Sequence, residues 1–257
     1  SRGAGRGAGQ HGVPRTRGLA LEYEAFSDIG SGTFVSLFLL SAAALKTVID
    51  GEAIHLTLLG AMFGGSSLLS PLVGYLGRQV PMRLLVIVPN LVTAALLLAI
   101  ALPIPGATFF TCVIGLCFVL RVFPRVAEMN MFRVLYPVTH RGSAVGWLKA
   151  VAAISALFIT LAGTWWFNNF PTHYWVVYAY AACTRVFGAI CYSRIPIPGG
   201  SVFERSGEVS ARDAFWHGWQ VFFADKRFVR YQFGFALAGF ANHMGWVFIP
   251  EVMGDQK

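Results

Sequence analysis

Residues 74–83 read GYLGRQVPMR, a run with two glycines, two arginines and a proline set between "GAMFGGSSLLSPLV" and "LLVIVPNLVTAALLLAIAL". If the apolar flanks lie in a water-soluble core, the ten residues are a surface loop; if the flanks lie in lipid, they are the turn between two membrane spans. Composition decides between the two. The chain has 257 residues, 56% hydrophobic and only 12% charged, with mean hydropathy +0.60, whereas soluble domains carry about 25% charged residues. Water cannot cover that much apolar surface, so the length divides into bilayer crossings.

A helix needs about 20 apolar residues to cross the hydrocarbon, and lipid leaves no partner for irregular backbone. Seven runs meet that demand, at 29–47, 55–77, 83–102, 108–126, 144–167, 174–192 and 228–248. The runs are continuously apolar and do not alternate with polar residues, which excludes the strands of a membrane barrel. The predicted fold class is therefore all-α, a polytopic bundle of membrane helices. Residues 1–27 form a basic flexible tail, 28–193 a six-helix bundle, 194–227 a linker and 228–257 a seventh helix.

The net charge of +8 follows the topology of such a bundle. Basic residues gather in alternate gaps: Arg2, Arg6, Arg15 and Arg17 before the first span, Arg78 and Arg83 after the second, Arg125, Arg133 and Arg141 after the fourth, and Arg194 to Arg230 after the sixth. The gaps "PIPGA" and "NNFPTH" contain no Lys or Arg. Cytoplasmic loops retain positive charge, so the amino terminus is expected inside and Lys257 outside. No nucleic-acid partner is expected, because the charges sit in loops and do not line one face. In the linker, Ser210 and Asp213 resemble a helix-capping box ahead of "AFWHGWQVFF", which predicts a short helix on the cytoplasmic face. Cys112, Cys117, Cys183 and Cys191 lack metal or redox spacing. The "GAGRGAG" of the tail lacks the strand and helix of a dinucleotide loop.

The turn 74–83 resembles the signature G-x-L-A-D-R-x-G-R-K found between the second and third helices of the major facilitator superfamily. Gly74, Leu76 and Arg83 match it and Gly77 replaces a small residue, while Arg78 stands where an acid is usual, Pro81 replaces a glycine and Met82 a basic residue. A second run, 136-YPVTHRGSAVGW-147, is similar to the family pattern Y-P-x-x-x-R-G-x-A-x-G at the entry to the fifth helix, through Tyr136, Pro137, Arg141, Gly142, Ala144 and Gly146. The resemblance covers residues 20 to 257. It implies a secondary transporter working by alternating access, a small-molecule substrate, a possible coupling ion, and five further helices beyond Lys257 that complete a second half of the chain. In the family the acid of the turn latches neighbouring bundles, so with Arg78 in its place that latch uses another partner or is absent.

Independently of any family, ionisable groups inside a span are functional pointers, since placing one in lipid costs about 2.5–3.5 kcal/mol. Arg121 in the fourth span and Arg185 in the sixth are the two clear cases, with Glu128 the acid nearest to Arg121. A guanidinium facing a cavity can hold a carboxylate or phosphate bidentately; alternatively both arginines snorkel to the headgroups. Asn90 follows Pro89, which frees a carbonyl and permits a kink. Asn242 and His243 place polar side chains in the seventh span, where His243 could bind substrate, carry a proton or bond a neighbouring helix. No span carries Asp or Glu at mid-depth, and no phosphate-binding loop, H-E-x-x-H motif or paired intramembrane carboxylate occurs. These absences argue against an ATPase and a membrane-embedded enzyme, and no cofactor is expected. A seven-helix receptor is the other rival; it has the opposite orientation to the one expected here, and the seventh span has no lysine for a retinal Schiff base.

Overall fold

The computed structural model describes residues 34–70, 73–74, 80–101, 106–136 and 138–195, together with residues 22 and 29 and scattered positions between 216 and 237. All the regular structure among them is helical. Six helices follow one another: α1 (Phe34–Thr47), α2 (Ala53–Gly65, continued by a 3-10 turn Ser66–Leu69), α3 (Met82–Ala101), α4 (Ala107–Leu135), α5 (Val138–Asn169) and α6 (Trp175–Ser193). Four of them, from α3 to α6, are long and apolar enough to cross a membrane, and α1 and α2 are shorter apolar helices in their described extents. Most of the linker and of the seventh predicted span, with Asn242 and His243, lies outside the described residues, as do Leu76, Gly77, Arg78 and Pro137.

One interruption and two boundaries differ from the sequence expectation for identifiable reasons. Regular α-helix in the second run is interrupted after Gly65, where a Gly64–Gly65 pair meets two serines, and α-helical residues appear again at Ser70, Val73 and Gly74. Ser66 Oγ donates to the Phe63 carbonyl and Ser70 Oγ to the Ser67 carbonyl. Such local side-chain bonds compete with the α-helical ladder and favour the tighter turn. The fourth helix does not end near residue 126 but runs on to Leu135, and the fifth begins at Val138. The basic residues Arg125, Arg133 and Arg141, expected in a gap, are therefore helical. A charged helix end can pass through the headgroup layer, so charge alone does not end a helix.

Side-chain contacts fix the course of each helix. Along the α3–α6 seam, Arg83 Nη2 donates to the Ile195 carbonyl (3.0 Å), Arg185 Nη1 to Asn90 Oδ1 (3.5 Å) and Tyr174 Oη to the Ile100 carbonyl (3.1 Å). Numbers rise on one helix as they fall on the other, so the pair is antiparallel. α2 and α4 run parallel, since His55 meets Thr108 (3.2 Å) and Met62 meets Gly115. α1 and α5 are also parallel: Ser36 Oγ donates to the Ala156 carbonyl (2.9 Å), Thr160 Oγ1 to Ser36 Oγ (3.0 Å), and Leu40 lies against Gly163. Ser41 with Tyr178 (3.3 Å) and Phe34 with Arg185 make α1 antiparallel to α6. Arg121 over Phe34, and Phe110 against the Tyr178 that meets Ser41, set α4 antiparallel to α1, so successive helices alternate in direction, as successive membrane crossings must.

The main core lies where α1, α3, α4 and α6 meet, around Phe34, Phe38, Leu97, Phe118 and Tyr178. A second cluster, Met82, Val86, Ala127, Tyr192 and Ile195, closes the end at which α3 begins and α6 finishes. α5 stands at the edge. It covers a narrow stripe, Ala156, Thr160, Gly163 and Phe167, and leaves Trp147 and Phe158 exposed at 68% and 66%.

Candidate functional site

The ring of Phe34, near the start of α1 and 2% exposed, marks the centre of the site. Two arginines from two other helices meet on it, and an asparagine from a third bonds one of them. Arg121 of α4 places its Cζ 4.8 Å from the ring centroid and Arg185 of α6 places its Cζ 4.6 Å from the same centroid. Asn90 of α3, 6% exposed, accepts the hydrogen bond from Arg185. Three residues nominated from sequence thus converge, and the residue that joins them was not nominated.

The α3–α6 seam gives the depth. At about 1.5 Å of rise per residue, the separation of Arg83 from Asn90 along α3, and of Ile195 from Arg185 along α6, places the polar pair roughly 10–15 Å in from the Arg83 end. Asn90 and Arg185 thus lie near the middle of α3 and α6, helices whose lengths match a hydrocarbon layer about 30 Å thick. Arg185 is 7% exposed, and its guanidinium contacts groups inside the bundle. Pro89 lies immediately before Asn90 inside the continuous α3; a proline cannot donate to the carbonyl four residues back, which leaves the Leu85 carbonyl without its usual helical partner.

Both guanidinium groups belong to one ring, so their charges are less than about 10 Å apart, roughly one Debye length at physiological salt. At that separation and an effective dielectric of about 20, two like charges repel by about 1.7 kcal/mol. Cation–π attraction to a desolvated ring, on the order of 1–2 kcal/mol for each cation, offsets that cost. The helices supplying the four residues contain a single acid, Glu128. Two guanidinium groups from different helices are thus held against one buried ring.

On the other side of Phe34 the surroundings become aromatic. Phe34 meets Phe118 edge-on at 5.3 Å, Phe118 meets Phe63 at 5.0 Å, and Phe63 stacks on Phe38 at 4.6 Å. No group of His, Cys, Asp and Glu suited to a metal occurs among the described residues.

No protein-family model matches this chain, and no curated protein matches it in sequence. The chemistry of the arginine pair therefore carries the functional reading.

The remaining nominated residues lie away from this centre. Arg83 bonds the Ile195 carbonyl beyond the end of α6. Tyr136 is buried between α4 and α5, and Arg141, in the first turn of α5, donates from Nη2 to the Tyr136 carbonyl at 3.1 Å. The second motif thus acts as a clasp at a helix–helix joint. Gly74 and Gly142 have open space where a side chain would stand, so close packing among the described residues does not require them. At the opposite end His55 joins α2 to α4: its Nδ1 accepts from the Glu52 N–H at 3.2 Å, which leaves Nε2–H to donate to Thr108 Oγ1.

Proposed function

We propose that this protein is a secondary active transporter that moves a small solute by alternating access, driven by an ion or solute gradient, with its amino terminus in the cytoplasm. The observation that carries this reading is the meeting of Arg121 and Arg185, from two helices, on the Phe34 ring of a third, with Asn90 of a fourth bonded to Arg185. Intramembrane arginines cost several kcal/mol to insert, and proteins retain them chiefly where a pathway or ligand needs them. A site built near mid-depth between helices suits a carrier, whose bundles rock about a central binding position. The resemblance of residues 74–83 and 136–147 to major facilitator motifs, with their partial matches, points to the same class. On that plan α1 to α6 form the first bundle and the seventh span opens the second.

The test is solute flux. Proteoliposomes containing the full chain, given a proton or sodium gradient, should accumulate at least one member of a broad panel of labelled solutes above empty vesicles. Arg121→Lys should reduce that uptake about tenfold or more, with membrane abundance intact, because a lysine lacks the planar fork. Uptake equal to that of empty vesicles across the panel counts against a transporter; undiminished uptake by Arg121→Lys removes the arginine pair from its pathway.

A further inference from the structure

From the membrane reading alone, without the transporter one, we infer that the joint between the start of α3 and the end of α6 docks the phosphate headgroup of an anionic lipid, held by Arg83 and Arg194. Arg83 is the second residue of α3, and Arg194 follows the last residue of α6. The bond from Arg83 Nη2 to the Ile195 carbonyl, at 3.0 Å, sets its guanidinium against the residue next to Arg194 in the chain. Both arginines are exposed. With 20 and 19 residues at about 1.5 Å of rise each, α3 and α6 match the thickness of the hydrocarbon layer, so their common end lies at the level of the headgroups. Anionic lipids concentrate in the cytoplasmic leaflet, which is the one that this basic end is expected to meet.

A guanidinium has several N–H donors in a planar fork. The Ile195 carbonyl engages Arg83 through Nη2 and neutralises none of its charge. Among the described residues, no hydrogen bond or ion pair engages the Arg194 guanidinium. One acid shares the neighbourhood: Glu22 and Arg194 both lie close enough to Cys191 to act on its thiol electrostatically. Two cations against one carboxylate leave a single positive charge at the joint. The phosphodiester of a lipid supplies one negative charge and two free oxygens, which accept paired N–H bonds from an arginine fork. Inside the joint Met82, Val86, Tyr192 and Ile195 are buried together, which keeps the headgroup on the outer rim. Further along the span Leu84 and Val88 of α3, and Phe187 and Ile190 of α6, are exposed. That apolar surface receives acyl chains, which a soluble phosphate lacks.

The experiment titrates full chain, purified in an uncharged detergent, with phosphatidylglycerol, and in parallel with phosphatidylcholine or soluble glycerol phosphate at matched ionic strength. Unfolding temperature is measured, and native mass spectrometry counts retained lipid. The expected result is a rise in unfolding temperature and a retained phosphatidylglycerol, with neither effect from phosphatidylcholine or glycerol phosphate. Arg194→Gln should raise the lipid concentration needed about fivefold, and Arg83→Gln/Arg194→Gln should abolish the retained lipid. Glu22→Gln, which removes the competing carboxylate, should lower that concentration. Arg125→Gln, at another exposed arginine on α4, should leave it unchanged. Where the double variant does not fold, Arg194→Gln decides alone, because it breaks no bond to a described residue. Full lipid sensitivity in Arg194→Gln overturns the site. An equal loss in Arg125→Gln also overturns it, since the attraction then belongs to the whole basic surface. An equal response to phosphatidylcholine removes the requirement for negative charge, and one to glycerol phosphate removes the lipid; either result overturns the inference. Solute flux plays no part in these measurements, so failure of the transporter reading leaves the lipid site standing.

Discussion

Phe34 is the residue on which the bundle centre depends, and it was invisible in the sequence. A single phenylalanine in a chain with 22 of them gives no signal, whereas Arg121, Arg185 and Asn90 could be picked out because polar groups are rare in apolar runs. What the sequence could not reveal is which polar groups meet, since that depends on helix rotation and neighbour choice. Phe34→Leu retains apolar bulk but removes the ring face from two guanidinium groups, and should lower stability by about 1–2 kcal/mol; Phe34→Tyr should lower it much less. Denaturant titration in mixed micelles measures both. Gly163 and Gly115 give a second test at this scale. An added Cβ at Gly163 falls 2.5 Å from Leu40 Cδ1, and Leu40 is fully buried, so Gly163→Ala should cost about 1–3 kcal/mol by overpacking. The atoms in the way at Gly115 are the end of the half-buried Met62 side chain, which can swing aside. Gly115→Ala should therefore be near neutral, helped by up to about 1 kcal/mol of helix propensity.

The helices themselves were more legible than their joints. The third and sixth runs were placed to within a residue of α3 and α6, because twenty continuous apolar residues leave little choice. The joint from α4 to α5 was not, because Arg125, Arg133 and Arg141 suggest a loop to a reader weighing charge alone, while an α-helix extending past the hydrocarbon accepts them. A close helix approach falls on α5 at Gly163, beside the polar contact with α1. Ser36 and Thr160 bond across that interface at 3.0 Å. Interhelical hydrogen bonds in membrane proteins average about 0.6 kcal/mol and reach about 1.7. A double-mutant cycle with Ser36→Ala and Thr160→Val should give a coupling within that range; additive single effects would mean that packing at Gly163 and Phe167 holds α5 in place unaided.

At the scale of the molecule the alternation of helix direction, read from side-chain partners, agrees with the alternation in the sequence of basic gaps and gaps poor in Lys and Arg. The end that holds Arg83, Arg194 and the Tyr136–Arg141 clasp is the basic end. The opposite end holds His55, Thr108 and the aromatic group Trp165, Trp166, Phe170 and Trp175, where Trp166 Nε1 donates to the His173 carbonyl at 2.9 Å. Tryptophans with a bonded N–H suit a membrane–water boundary. Positive charge favours the cytoplasm, so the His55 end should face outward. With Cys112, Cys117, Cys183 and Cys191 replaced by alanine, a cysteine at Gly106 or Thr172, both exposed, should react with a membrane-impermeant maleimide on intact cells, and one at the exposed Ser193 only after permeabilisation. The reverse pattern would invert the orientation and keep the helix order. Labelling of Thr172 and Ser193 from the same side would break the order itself, because α6 would then no longer cross the bilayer between them, and the central position of Arg185 would fall with it.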